Sequence, residues 1–306
     1  MTGRLIGVFL AWLVLGAGTA SAAPLVDAAW LQDRLGRPDL VILDIRNKID
    51  GGSREVFEAG HIPGAVYSDY GTGGWRTTQN GVPGMLPPVA DLEKLVGGLG
   101  IGNGSHVVIV PGGVSALDYG SATRVYWTFK VLGHDAVSIL DGGYKGWTAD
   151  PARPVAKGPA SPRAVAFKAD FRPELLAGKD DVRKALNGAV SLVDNRPAEQ
   201  FAGKAKTDVV ARAGTIPGAV SIPQDEFFDA ATGRFAGLGR LADLWKTRKV
   251  GGETEQITFC NTGHWASLGW FASHELLGNT RTRLYDGSVS EWAGQADLPV
   301  EQGAGS

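Results

Sequence analysis

The amino-acid sequence predicts an α/β protein of two similar units, each a parallel sheet flanked by helices. Three observations predict it. First, the chain repeats itself. Val41-Ile42-Leu43-Asp44-Ile45-Arg46, Gly60-His61-Ile62-Pro63-Gly64-Ala65-Val66, Val107-Val108-Ile109-Val110 and Asp141-Gly142-Gly143-Tyr144-Lys145-Gly146-Trp147 stand in the first half. Ser191-Leu192-Val193-Asp194-Asn195-Arg196, Gly214-Thr215-Ile216-Pro217-Gly218-Ala219-Val220, Ile257-Thr258-Phe259-Cys260 and Asp286-Gly287-Ser288-Val289-Ser290-Glu291-Trp292 answer them in the same order. Second, the short apolar runs lack the alternation of a half-exposed sheet and are bounded by Gly, Pro or Asp, the pattern of strands buried on both faces. Third, helix-like stretches fall between the runs, at 30–35, 91–99 and 124–132 in the first half and at 227–228, 241–246 and 266–277 in the second. Alternation of this kind places the functional loops beyond the carboxyl ends of the strands.

In chain order, residues 1–23 come first: Arg4, an apolar run over 5–15, then small residues ending in Ala20-Ser21-Ala22. This is the pattern of a secretory signal peptide. The apolar run is about half of the roughly 20 residues a membrane span needs. The expected location is therefore periplasmic or secreted, with no membrane attachment after cleavage. Residues 25–150 form the first unit. A Pro- and Ala-rich stretch that opens with Asp150-Pro151-Ala152-Arg153-Pro154 lacks any hydrophobic period, so 151–170 reads as a semi-extended linker. Residues 171–304 form the second unit. A content of 43% hydrophobic residues is enough to build two cores. Lys and Arg number 30 against 32 Asp and Glu, which excludes the basic excess that drives nucleic-acid binding.

Cys260 is the one cysteine, so no intrachain disulfide framework exists. In an oxidising compartment a single thiol is buried, bonded to a partner or used. Cys260 ends a strand, and Asn261-Thr262-Gly263-His264 leads from it into an apolar helical stretch beginning at Trp265. Backbone N–H groups of such a strand-to-helix loop, with the positive end of the helix, favour an anionic sulfur, whether a thiolate or the terminal sulfur of a persulfide. The same place also suits a small buried hydrophobe.

Taken together, these residues resemble the tandem-domain rhodaneses, the sulfurtransferases of the thiosulfate and 3-mercaptopyruvate kind. The resemblance runs over nearly all of the mature chain. It rests on the Asp-x-Arg strand end followed by Gly-x-Ile-Pro-Gly-Ala in each half, the cysteine loop in the second half only, and the closing Asp-Gly-x-x-x-x-Trp. It implies two rhodanese-like domains and no cofactor. It also implies a persulfide on Cys260, loaded from a small-molecule donor and discharged to cyanide or a thiol. The first half carries Val110 where the repeat alignment places Cys260, then Pro111-Gly112-Gly113, and so resembles the inactive structural half.

The loop departs from the familiar members. Thiosulfate-preferring relatives have basic residues after the cysteine and mercaptopyruvate-preferring ones have small residues, whereas this loop reads Asn261, Thr262, Gly263, His264, Trp265. Gln200 precedes Phe201 where many relatives have Arg. The candidate substrate-binding residues are the five of the loop together with Arg196, and the candidate cations are His264, Arg196, Lys204 and Arg212. His264 leads them, because it lies inside the loop and titrates near neutrality.

Other conspicuous residues have structural readings. The Asp44–Arg46 and Asp194–Arg196 pairs recur in both halves, as loop ties do. His61, His106, His134, His264 and His274 make no i, i+4 pair, so no metal site is expected. Gly71-Thr72-Gly73-Gly74 lacks the ending of a phosphate loop. Cysteine phosphatases and arsenate reductases share the strand-cysteine-loop-helix device but close it with an Arg, and here Trp265-Ala266-Ser267 follow. The alternative outside enzymes is a periplasmic carrier that holds sulfur or a soft metal on Cys260.

Overall fold

The structure, a computed structural model, describes residues 22–251 and 254–303. The expected signal segment lies outside the described residues except for Ala22 and Ala23. The first unit contains β1 (Leu25–Val26), β2 (Leu40–Asp44), β3 (Val66–Tyr67), β4 (Thr77–Gln79), β5 (Val82–Met85), β6 (His106–Val110) and β7 (Val137–Leu140). The second contains β8 (Leu176–Ala177), β9 (Ser191–Asp194), β10 (Val220–Ser221), β11 (Phe228–Asp229), β12 (Arg234–Phe235), β13 (Gln256–Phe259) and β14 (Thr282–Tyr285). One sheet runs β1-β7-β6-β2-β3 and the other β8-β14-β13-β9-β10, each parallel throughout. The two units thus share one topology. Each also carries an antiparallel pair, β4–β5 and β11–β12.

The central strands follow the expected burial. Val107–Val110 of β6 and all of β13 are buried. The polar members of β13 are satisfied inside: the Gln256 amide oxygen accepts from Trp245 Nε1 at 3.1 Å and from Ser273 Oγ at 2.9 Å. Helices Val89–Gly98 and Leu238–Thr247 stand near the expected 91–99 and 241–246, while 30–35 is replaced by Ala28–Gln32, capped by Asp27. Residues 227–228 end a short 3-10 turn and begin β11, and 266–277 is an α-helix (Ala266–Trp270) running into a π-helical turn (Phe271–Leu276). The helix expected at 124–132 begins much earlier. It runs from Ala116 to Val131 with Ser115 as its N-cap and is buried on nearly every side. A helix wrapped by protein has no polar face to set a period.

Sheet register corrects the repeat alignment by one residue. Asp44 pairs with Val110, and Asp194 pairs with Phe259. Pro111, not Val110, therefore holds the place of Cys260. Successive strand residues face opposite sides, so this shift matters: Val110 and Phe259 both point into the cores under their own sheets.

The largest apolar cluster joins the two units, with helices Ala116–Val131 and Ala266–Trp270 packed across it. Thr123 and Ser267 share a hydroxyl hydrogen bond there at 2.7 Å. The contacts are reciprocal: Asp286 accepts from the Leu86 N–H at 2.6 Å, and Asp141 accepts from the Phe235 N–H at 2.9 Å. Each unit's hairpin segment thus closes over the other's loops. The connector is strapped to the first unit. Val165 N–H donates to Gly97 O and Arg172 N–H to Val131 O, and Arg172 forks onto Asp135.

Candidate active site

Cys260 follows the last residue of β13 and is 1% exposed, yet it forms part of the wall of a cavity of about 250 Å³ between the units. Ile49, Arg76 and Leu117 come from the first unit, and Thr207, Val209, Asn261, Thr262, His264 and Trp265 complete the wall from the second. Ser288 shapes the loop. Its Oγ accepts from the N–H groups of Cys260 and Gly263, each at 3.1 Å, and donates to Tyr285 O at 2.8 Å. Val289 N–H binds Cys260 O as Tyr144 N–H binds Pro111 O, so Ser288 occupies the place of Gly143. Both are left-handed, with φ of 51° and 58°. A non-glycine residue there costs about 1–3 kcal/mol, and the hydroxyl that bridges two buried N–H groups offsets it.

The remaining loop donors are free. The N–H groups of Asn261, Thr262, His264 and Trp265 meet no acceptor among the described residues. The corresponding turn of the first unit is filled from within: Gly112, Gly113 and Val114 N–H all donate to the Asp118 carboxylate, at 3.0, 2.6 and 3.1 Å. Asp50 lies against Asp118, and burial and that neighbouring charge push its carboxyl up to about 7. Beside Cys260, Asn261 Nδ2 donates to Gln200 Oε1 at 2.8 Å, while the buried Asn261 Oδ1 has no partner among the described residues. Gln200 is thus spent on the loop. Trp265 is a half-buried wall of the cavity.

His264 differs from its expected part. Leu117 O lies 2.8 Å from Nε2 and can only accept, so Nε2 carries the proton; Nδ1 then accepts from the Tyr70 hydroxyl at 2.8 Å. Burial, with the charges of Arg76 and Arg124, pushes the ring down to about 3. His264 is a neutral tie between the units and not a cation. Its ring lies against Gly120, where an added Cβ would fall 2.6 Å from Nε2.

Arg196 also needs correction as a substrate-binding residue. It is 1% exposed and lies outside the cavity wall. Its guanidinium is consumed by Asp194 and, at 2.8 Å, by Gly214 O, just as Arg46 binds Asp44 and Gly60 O. Arg212 is spent on the carbonyls of Ala293, Gln295 and Leu298, and Lys204 does not line the cavity. The arginine that does line it is Arg76, from the first unit, donating to Thr262 O at 2.8 Å and Thr262 Oγ1 at 2.9 Å. Nothing near Arg76 in the sequence signals this. Ser288 was visible in principle, as the hydroxyl that replaces Gly143 in the repeat.

A sequence model of the rhodanese-like domain matches residues 27–150 and again 178–295. The chain belongs to the rhodanese family. This rhodanese is 30% identical over 288 residues to a putative thiosulfate sulfurtransferase of Mycobacterium tuberculosis (strain H37Rv), covering 92% of this chain and 98% of that one. It is 33% identical over 292 residues to the mouse thiosulfate sulfurtransferase, with 91% and 95% covered. The crystal structure of SseA from Escherichia coli, reported with the catalytic mechanism of 3-mercaptopyruvate sulfotransferases, matches with a TM-score of 0.75 and 27% identity. That match covers 87% of this rhodanese and 99% of SseA. The enzyme class of the rhodanese is sulfurtransferase.

Proposed function

We propose that this rhodanese moves sulfane sulfur from a small anionic donor, thiosulfate or 3-mercaptopyruvate, to cyanide or a thiol through a persulfide on Cys260. The observation that supports it most is the contrast between the two homologous turns. In the first unit the N–H cradle is filled by the protein's own carboxylate, whereas in the second it stands open around a cysteine. A ring of donors that accepts a carboxylate in one copy suits an anionic terminal sulfur in the other. With thiosulfate, the Cys260 thiolate attacks the outer sulfur. A new S–S bond forms, the bond to the SO₃ group breaks, and sulfite leaves with the electron pair. With 3-mercaptopyruvate the C–S bond breaks instead, and the methylene carbon takes the donor's thiol proton to give pyruvate. The acceptor nucleophile then attacks the terminal sulfur and frees the thiolate. These displacements move sulfur between nucleophiles and call for no redox cofactor.

The Cys260→Ser variant tests this reading. It is expected to remain folded and inactive, and intact-mass measurement after incubation with thiosulfate is expected to find one added sulfur on the wild type and none on the variant. Sulfur carried elsewhere, or turnover by the variant, would overturn it.

We also propose that the chain is exported and cut after Ala22 or Ala23. The Ala20-Ser21-Ala22 pattern supports this, and so do the contacts that begin just beyond it. Ala23 O accepts from Ser138 Oγ at 2.6 Å and Pro24 O from Ile139 N–H at 2.8 Å; a cut after Ala22 preserves both and a cut after Ala23 preserves the second. N-terminal sequencing of protein from the host tests it; an intact Met1 in the membrane fraction would overturn it.

A further inference from the structure

We propose that Arg76, supplied by the unit that has no cysteine, is the residue that holds the negative charge of the sulfur donor beside Cys260. This rests on the sulfur-transfer reading above and adds a specificity-determining residue to it. Arg76 leads into β4, and its Nε donates to Gly84 O at 3.2 Å while Nη2 binds the carbonyl and hydroxyl of Thr262. Every one of these acceptors is neutral, and no ion pair among the described residues includes Arg76. Its Nη1 has no acceptor among the described residues. The other arginines of the region are neutralised: Arg124 by Asp286 at 2.5 Å, and Arg196 by Asp194. Arg76 is therefore a guanidinium with its full charge in the wall of the cavity. The loop side of that wall brings no cation of its own, since Thr207, Val209, Asn261, Thr262 and Trp265 carry no charge and His264 is neutral.

The surroundings strengthen this charge. Ile49, Leu117 and Val209 make much of the wall apolar, and low-dielectric walls focus the field of a cation into the space they enclose. The three hydrogen bonds also fix the guanidinium, so it is positioned before a donor arrives.

The test compares wild type, Arg76→Gln and Arg76→Lys as full chains. Each is alkylated at Cys260 with iodoacetate, an anion, and with iodoacetamide, a neutral reagent of nearly the same size. Arg76→Gln is expected to lower the iodoacetate-to-iodoacetamide rate ratio at least about tenfold, the low end of what a focused charge adds to local anion concentration. Arg76→Lys is expected to restore most of that ratio, and kcat/KM for thiosulfate is expected to fall in parallel in Arg76→Gln. Equal slowing of both reagents, or an unchanged ratio, would overturn the proposal and leave Arg76 as a brace for Thr262. Inertness of wild-type Cys260 to both reagents would overturn it too, because a cavity closed to small anions has no use for the charge. Failure of the wild type to transfer sulfur would instead count against the sulfur-transfer reading, and the alkylation ratio would still decide the role of Arg76.

Discussion

At the scale of single residues, one hydroxyl and one imidazole are among the groups that hold the loop. Ser288 accepts from two buried N–H groups while standing at φ 51°. Ser288→Ala keeps the backbone strain and loses the acceptor; Ser288→Gly loses the acceptor and removes the strain. Both variants are expected to lose turnover, with Ala less stable than Gly by about 1 kcal/mol in denaturant midpoints. His264 makes a prediction about pH. Its ring is held down at about 3 by burial and by Arg76 and Arg124, far below the ~6.5 of an unfolded chain. The folded state then binds fewer protons than the unfolded state between those values. Its contribution to stability is whole above about pH 6.5 and is lost as pH falls toward 3. Relative to wild type, His264→Gln is expected to lose less stability on acidification over that window, as read by thermal unfolding. From about pH 5 to 8, the ring of His264 is neutral throughout, so the thiosulfate pH profiles of wild type and variant are expected to share one shape. A limb near the ordinary histidine value that is present only in wild type would show that the ring titrates in function.

At the scale of elements, the same strand-turn-helix device appears twice with different fillings. Asp118, in the first turn of helix Ala116–Val131, satisfies three N–H groups of its own turn. Each buried donor left unpaired costs about 1–3 kcal/mol, so Asp118→Ala is expected to destabilise the protein by several kcal/mol unless another anion takes the place. Sulfate is therefore expected to raise the melting temperature of Asp118→Ala by more than it raises that of the wild type. Equal shifts would show that the turn is not an anion cradle, which would also weaken the reading of its partner around Cys260.

At the scale of the whole molecule, the two units complete one another. Asp286 and Asp141 each reach the backbone of the opposite unit, and Arg124, fully buried, crosses to Asp286 while donating to Gly263 O at 3.3 Å. Removing one partner of a buried pair leaves an uncompensated charge at a cost of about 3–5 kcal/mol. Arg124→Met is expected to show that loss in equilibrium unfolding, and adding Asp286→Asn to recover part of it. No recovery in the double variant would place the effect in packing against Trp127, over whose ring the guanidinium lies.

Much of this was legible in the linear chain, because it depends on local and repeated features. The duplicated blocks, the buried apolar runs and the strand-end position of Cys260 are properties of neighbours along the sequence, and the two sheets carry them as read. What lay beyond the sequence depends on distant partners. The one-residue register shift is set by pairing between strands, and the helix Ala116–Val131 shows no clear period because from Asp118 onward it is buried on nearly every side. The charge at the site was decided last: burial and the charges of Arg76 and Arg124 keep His264 neutral, Tyr70 and Leu117 bond its ring across 194 and 147 residues, and Arg76 reaches Thr262 across 186. A side chain's protonation and its access to substrate are set by what packs against it, and here that packing comes from the other half of the chain.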